Sequence, residues 1–247
     1  MTAQANATNT VAGDSSPTQE QTSFGSSICV TNLCKRIRGI DVLSNISLTV
    51  RAGATVGLAG ANGSGKTMLM RAILGLIRPT SGTVSIDGKA LGIDMAFPPS
   101  VGMLLEGPAF LSGRSGFDNL LMLASIRDVI GTQEVREAIA NVGLDPDDRR
   151  PYRKYSLGMK QRLGIAAALM ERPRLIVLDE PTNALDASGV ELVKSLVRAE
   201  QERGATLVLA CHAADILREL SDEIHFLAEG HHDGHEVVPR KKGEHHA

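Results

Sequence analysis

The eight residues GANGSGKT at 60–67 constrain this chain more than any other stretch. They satisfy the spacing G-x-x-x-x-G-K-[ST] in full. They stand between TVGLAG at 55–60, which reads as a buried strand, and MLMRAILGLI at 68–77, which reads as a helix. Gly60, Gly63 and Gly65 let the backbone curl until successive amide N–H groups face one point, and the start of the following helix adds its positive dipole end. Such a loop cradles a phosphate. Lys66 can reach between a β- and a γ-phosphate, and the Thr67 hydroxyl can ligate Mg2+.

LIVLDE at 175–180 supplies the matching half of a site. Four apolar residues bury a strand, two carboxylates emerge at its C-terminal end, and Pro181 stops it there. Asp179 is placed to hold Mg2+ directly or through water, and Glu180 to polarise an attacking water. Together the two motifs describe a P-loop NTPase, a class that includes pumps, motors and switches and so does not fix function.

Residues 28–33, 47–51 and 83–88 read as short strands on both sides of the phosphate loop, which departs from a simple βαβ repeat. VGMLLE at 101–106 is a further strand and GPAFLSGRSG after it a loop. A helical region runs from Phe117 to about Val142 with a turn at Gly131, and 158–171 is an amphipathic helix. This run of helices, about 115–170, is expected to form a separate lobe. From position 170 strands and helices alternate through RLIVLDEP, ELVKSLVRAEQE, TLVLAC, AADILREL and EIHFLAEG, which implies a largely parallel sheet covered by helices. The fold class is therefore α/β. Residues 1–27 are expected to be a disordered polar tail, and 231–247 a second polar tail with clustered histidines. The N-terminus lacks the basic start and apolar centre of a signal peptide, and no window reaches the roughly 18 apolar residues of a membrane span.

Aromatic residues are 3% of the chain with no Trp, which supplies little for stacking single-stranded nucleic acid. A formal charge of −2 gives no general field for a polyanion. Cys29, Cys34 and Cys211 are odd in number and follow no metal-binding spacing, which suits a reducing compartment.

YSLGMKQR at 155–162 contains no acid or nucleophile, yet it opens a well-formed helix. With the two phosphate-site motifs it makes residues 28–230 resemble the nucleotide-binding domain of ATP-binding cassette (ABC) proteins. The resemblance implies a P-loop core of ABC type with a small antiparallel β part and a helical lobe. It puts YSLGM at the family's signature, most often LSGGQ: Ser156 and Gly158 match, and Lys160, Gln161 and Arg162 fit the residues that follow. In that family the signature closes on the γ-phosphate held by a second domain, so Ser156 and Gly158 would complete a partner's site. NALD at 183–186 matches the D-loop, with Asp186 expected to cross to the partner. His212 matches the switch histidine that contacts the γ-phosphate and orders Glu180. The resemblance further assigns nucleotide binding to Gly60, Ala61, Asn62, Gly63, Ser64, Gly65, Lys66, Thr67 and Met68. Two positions depart from the family pattern. Glu106 replaces a Gln that senses Mg2+, where it can still ligate the ion, and Ile37 replaces an aromatic residue that stacks on adenine. The neighbourhood VGMLLEGPAFLSG, like the signature, is similar to exporters of the bacteriocin, lantibiotic and bacitracin-resistance branch.

These likenesses imply an Mg2+-dependent ATPase with Glu180, His212 and Lys66 in the reaction. They imply ATP-closed pairing with a second copy or a close homologue, and separate transmembrane permease subunits at the cytoplasmic face of the cell membrane. No nucleic-acid partner is expected. The alternatives are a soluble ABC ATPase acting on ribosomes or DNA, which would usually carry two cassettes or long insertions, and a weakly catalytic ATP-gated regulatory subunit.

Overall fold

The computed structural model describes residues 24–239. Ile28–Ile37 (β1) and Ile40–Val50 (β2) pair antiparallel around a two-residue turn at Arg38 and Gly39, both with positive φ, the conformation that matches the twist of a hairpin. Thr55–Ala59 (β3) leads through the phosphate loop into Lys66–Ile73 (α1). Ser81–Ile86 (β4) and Lys89–Ala90 (β5) complete a four-stranded antiparallel sheet in the order β2-β1-β4-β5.

The second sheet has six strands. It adds Val101–Leu104 (β6), Leu175–Asp179 (β7), Thr206–Ala210 (β8), Glu223–Ala228 (β9) and His231–Val237 (β10) to β3, in the order β10-β9-β3-β8-β7-β6. Every pair from β9 to β6 is parallel, and β10 alone runs antiparallel at the edge. The strands β7 and β8 are buried at each position, as a parallel sheet covered on both faces requires. Their side chains divide by the period of two. Leu175, Val177 and Val208 pack with Val56, Leu58, α1 and the antiparallel sheet, whereas Ile176, Leu178, Leu207 and Leu209 face the helical side. Each such side chain contributes about 1.5–3 kcal/mol by leaving water.

The helical side is built from Gly116–Arg127 (α2), Thr132–Asn141 (α3), Leu157–Leu169 (α4), Ala187–Glu202 (α5) and Ala214–Leu220 (α6). Ser115 starts α2 with a capping box: its Oγ accepts from Asp118 N at 3.0 Å and Asp118 Oδ2 accepts from Ser115 N at 3.4 Å. Buried Asn119 accepts from Leu111 N at 2.8 Å and donates to Ser115 O at 2.8 Å, which folds the loop before α2 back on the helix. The Tyr152 hydroxyl donates to Pro108 O at 2.7 Å, tying that loop to the approach of α4. The helices 116–169 share one contiguous core with this face of the six-stranded sheet, through Leu104, Leu163, Ile176 and Leu178. The lobe expected to be separate is thus anchored to the sheet.

Three expectations are corrected. The strand at 101–106 ends at Leu104, and Glu106 lies beyond it with φ 54° in the left-handed region. Residues 24–27 do not belong to a disordered tail: Arg174 Nε donates to Phe24 O at 2.7 Å and the Arg203 guanidinium lies 4.5 Å from the Phe24 ring. The remainder of the expected tail, 1–23, lies outside the described residues. At the other end 231–237 is strand β10, not tail, because alternate residues pack back on β9. Residues 240–247 lie outside the described ones.

β10 brings histidines together. Buried His225 Nδ1 lies 3.0 Å from His232 Nε2, the His235 ring stacks 5.5 Å away, and Glu223 Oε2 is 3.9 Å from His225 Nε2. Burial, with His232 and His235 beside it, pushes the His225 imidazole from 6.5 down to about 4. The folded state therefore favours the neutral ring, and the unfolded chain takes up the proton first. Stability is fully present above the unfolded value and falls as the pH drops from 6.5 through about 4. Over that window this ring accounts for up to about 3 kcal/mol. His225→Leu is expected to flatten the loss, read as the difference in denaturant midpoint between pH 7 and pH 5. Equal differences in parent and variant would refute it. Among the described residues, no helix is long and apolar enough to cross a membrane.

Candidate functional site

The phosphate loop leaves the end of β3 at the C-terminal edge of the parallel strands. Gly60 has φ 151°, and a Cβ there would stand 2.2 Å from Leu227 O and 2.6 Å from Ser64 Oγ, so only glycine lets the loop pass between β9 and its own return. Lys66 is the first residue of α1. Its ammonium folds over the loop and donates to Gly60 O at 2.7 Å and Ala61 O at 3.0 Å. Asn62 through Met68 line a cavity of about 920 Å3 that also takes in Glu106, Asp179, Glu180 and His212.

Asp179 closes β7 and is buried, and the Thr67 hydroxyl donates to its Oδ2 at 2.5 Å. Thus α1 and β7 meet through two of the three residues expected to hold a metal, Glu106 being the third. Among the described residues no three His, Cys, Asp or Glu side chains converge as a metal cage. That donor set still fits Mg2+, which takes hard oxygens and binds through one or two carboxylates completed by phosphate and water oxygens.

Glu180 has φ 50°, rare for a non-glycine residue, and hydrogen bonds hold it on three sides. Its amide donates to Ala210 O at 2.9 Å, its carbonyl accepts from Gln161 Nε2 at 2.9 Å, and its Oε2 accepts from His212 N at 3.1 Å. Its Oε1 is buried without a hydrogen-bond partner, and His212 Nε2 is 3.5 Å from it. The carboxylate is thus held by its backbone, and Oε1 is left without a hydrogen-bond donor.

Other expected residues are placed differently. Glu106 lines the cavity, but its Oε2 is paired with Arg71 Nη2 of α1 at 2.6 Å, so a guanidinium offsets the charge this position adds beside a phosphate. Ile37 is outside the cavity lining. It pairs with Ile40 across the hairpin, and Ile40, Asp41 and Val42 line the cavity instead, because the start of β2, not the end of β1, stands at the rim. Ser156 caps α4, its Oγ accepting from Met159 N at 3.2 Å and keeping its proton to donate. Asp186 caps α5 in the same way, Oδ1 accepting from Gly189 N at 2.8 Å. Neither Ser156, Gly158 nor Asp186 lines the chain's own cavity, although Leu157, Lys160 and Gln161 do.

Arg71 is not singled out in the sequence, and Gln161 is matched there only to the residues that follow the signature, without a role. For Gln161 the signal was its place after the signature, and the structure shows it as the one polar residue among those that α4 buries. Arg71 had none, because its role depends on a loop 35 positions away in sequence.

A family model described as ABC transporter matches residues 43–183. The chain is 44% identical over 193 residues to an uncharacterized ABC transporter ATP-binding protein, YybJ, of Bacillus subtilis (strain 168), covering 78% of this chain and 88% of that protein. It is 39% identical to the bacitracin transport ATP-binding protein BcrA of Enterococcus faecalis, over 81% of this chain but 66% of that longer protein. It is 32% identical to the lantibiotic transport ATP-binding protein SrtF of Streptococcus pyogenes, over 81% of this chain and 86% of that protein. Among solved structures, a dimeric bacterial ABC transporter cassette superposes with a TM-score of 0.78 at 24% identity, covering 86% of this chain and 99% of that one. At that identity the likeness carries the fold.

Proposed function

The chain belongs to the ABC transporter family as an ATP-binding subunit, and from that premise we propose that it hydrolyses ATP as a dimer to drive export through separate transmembrane subunits. The observation that carries the hydrolytic part is Glu180, which lines one cavity with Lys66, Thr67 and Asp179 and whose Oε1 has no hydrogen-bond donor.

In this reading the loop amides and the start of α1 hold the β-phosphate, and Lys66 exchanges its two loop carbonyls for phosphate oxygens. Thr67 and Asp179 would hold Mg2+, which would supply positive charge against the phosphates when bound. Glu180 Oε1 takes a proton from the water that attacks the γ-phosphorus as the bond to the ADP oxygen breaks. The His212 amide steadies the other carboxylate oxygen, and its exposed imidazole reaches the γ-phosphate. Ile40 supplies an apolar surface for the base at the rim.

Ser156, the N-cap of α4, offers a hydroxyl and a helix start to an anion, and it lies outside the cavity of its own chain. A second chain, a copy or a close homologue, would bring its nucleotide there. Asp186 sits beside that contact, and the loop 106–116 passes the motion to the membrane subunits. The bacitracin and lantibiotic relatives are named for transport. Export, and with it a place at the cytoplasmic face of the membrane, rests on the likeness of YSLGMKQR and VGMLLEGPAFLSG to exporters.

Mild-detergent purification of the tagged chain from its native membranes tests the transport part. A multi-span protein in stoichiometric amount is the expected companion. Recovery only in the soluble fraction, or on ribosomes or DNA, would overturn it.

A further inference from the structure

α4 opens on the signature, and its first turn is strapped to the loop that carries the proposed base. Gln161 Nε2 donates to two consecutive carbonyls, Glu180 O at 2.9 Å and Pro181 O at 3.1 Å. Arg162 Nη2 stands 3.6 Å from Asp186 Oδ1 at the far end of the same loop. Beside Gly158 the space is closed by Ala184 O. The start of α4 and residues 180–186 therefore move as one body or break buried hydrogen bonds.

We propose that Gln161 is a positioning residue that couples two nucleotide sites, transmitting the seating of α4 against a partner's nucleotide to the Glu180 carboxylate of its own site. This rests on the dimeric reading given above. Ser156 and Gly158 sit at the helix start, and Gln161 is about one turn further in, so a displacement at the capped end reaches the Gln161 amide along a rigid rod. The amide grips the carbonyl of a residue held at φ 50°. A backbone in that narrow region has no broad well to absorb a push. It rotates, and the direction of Oε1 changes with it. Loss of the Gln161 donor leaves two carbonyls without that bond and lets α4 settle on the partner without moving Glu180. Binding through the phosphate loop does not depend on Gln161.

Gln161→Met keeps length and volume and removes the donor. In the full chain its turnover is expected to fall about 10-fold or more, in line with the cost of a misplaced group. The Hill coefficient for ATP is expected to drop from about 2 toward about 1. The affinity for a fluorescent ATP analogue stays unchanged, and so does ATP-driven dimerisation measured in the Glu180→Gln background. Slower turnover with the Hill coefficient retained would reduce Gln161 to local support and overturn the coupling, as would unchanged turnover. Should Gln161→Met fail to fold, Gln161→Asn, whose amide is one methylene too short, takes its place with the same expectations. If the Glu180→Gln chain itself forms no ATP-dependent dimer, the dimeric reading fails, an outcome distinct from the others.

Discussion

Glu180→Gln is expected to lower ATP turnover by about 100-fold or more while ATP-driven pairing survives. The amide fills the same space and can still present an oxygen to the His212 amide 3.1 Å away. It has no negative charge and cannot take a proton at Oε1, the atom the fold buries without a donor. Phosphate release reports the chemistry, and the elution volume with and without ATP reports the pairing. Turnover equal to the parent would remove Glu180 from the reaction. No turnover in either protein would favour an ATP-gated regulatory subunit over an enzyme.

Gly102→Ala is expected to be the most damaging small change outside the site. A Cβ at this position would stand 1.8 Å from Ala168 O and 2.8 Å from Pro173 Cγ. Both neighbours are constrained, because Gly102 is in register with Ile176 of β7 on one side and Ala168 is inside α4 on the other. Either β6 leaves the sheet edge or α4 backs away from Leu104, which opens the shared core. Overpacking against backbone costs about 3 kcal/mol or more, which for a chain of this size lowers Tm on the order of 10 °C. A Tm indistinguishable from the parent's would show that the contact relaxes freely.

The parts legible in the sequence are those whose physics is local. GANGSGKT needs its own glycines, and LIVLDE needs a run of apolar residues followed by a break. The alternation of strands and helices after position 170 implies the parallel sheet by itself. What escaped depends on partners distant in sequence. The His231–Val237 strand has a polar composition and is defined only by pairing with β9. Ile37 was assigned by its place in a motif, whereas a two-residue hairpin turn decides that Ile40 reaches the rim. Glu106 is expected as an Mg2+ ligand, and nothing in its own segment announces its pairing with Arg71.

The pair formed by Arg71 and Glu106 also sets a tempo. It links α1, which starts at the phosphate loop, to the loop that leads into the helical lobe, and both side chains are partly open to solvent. A bond in that setting is worth at most about 1 kcal/mol, so at least about one molecule in six has it open at any instant. Raised salt would increase that share by screening the charges. Any movement of this loop away from α1 as it passes motion to the membrane subunits breaks the pair. A clasp this loose releases by thermal motion alone and leaves the free energy of hydrolysis for the load.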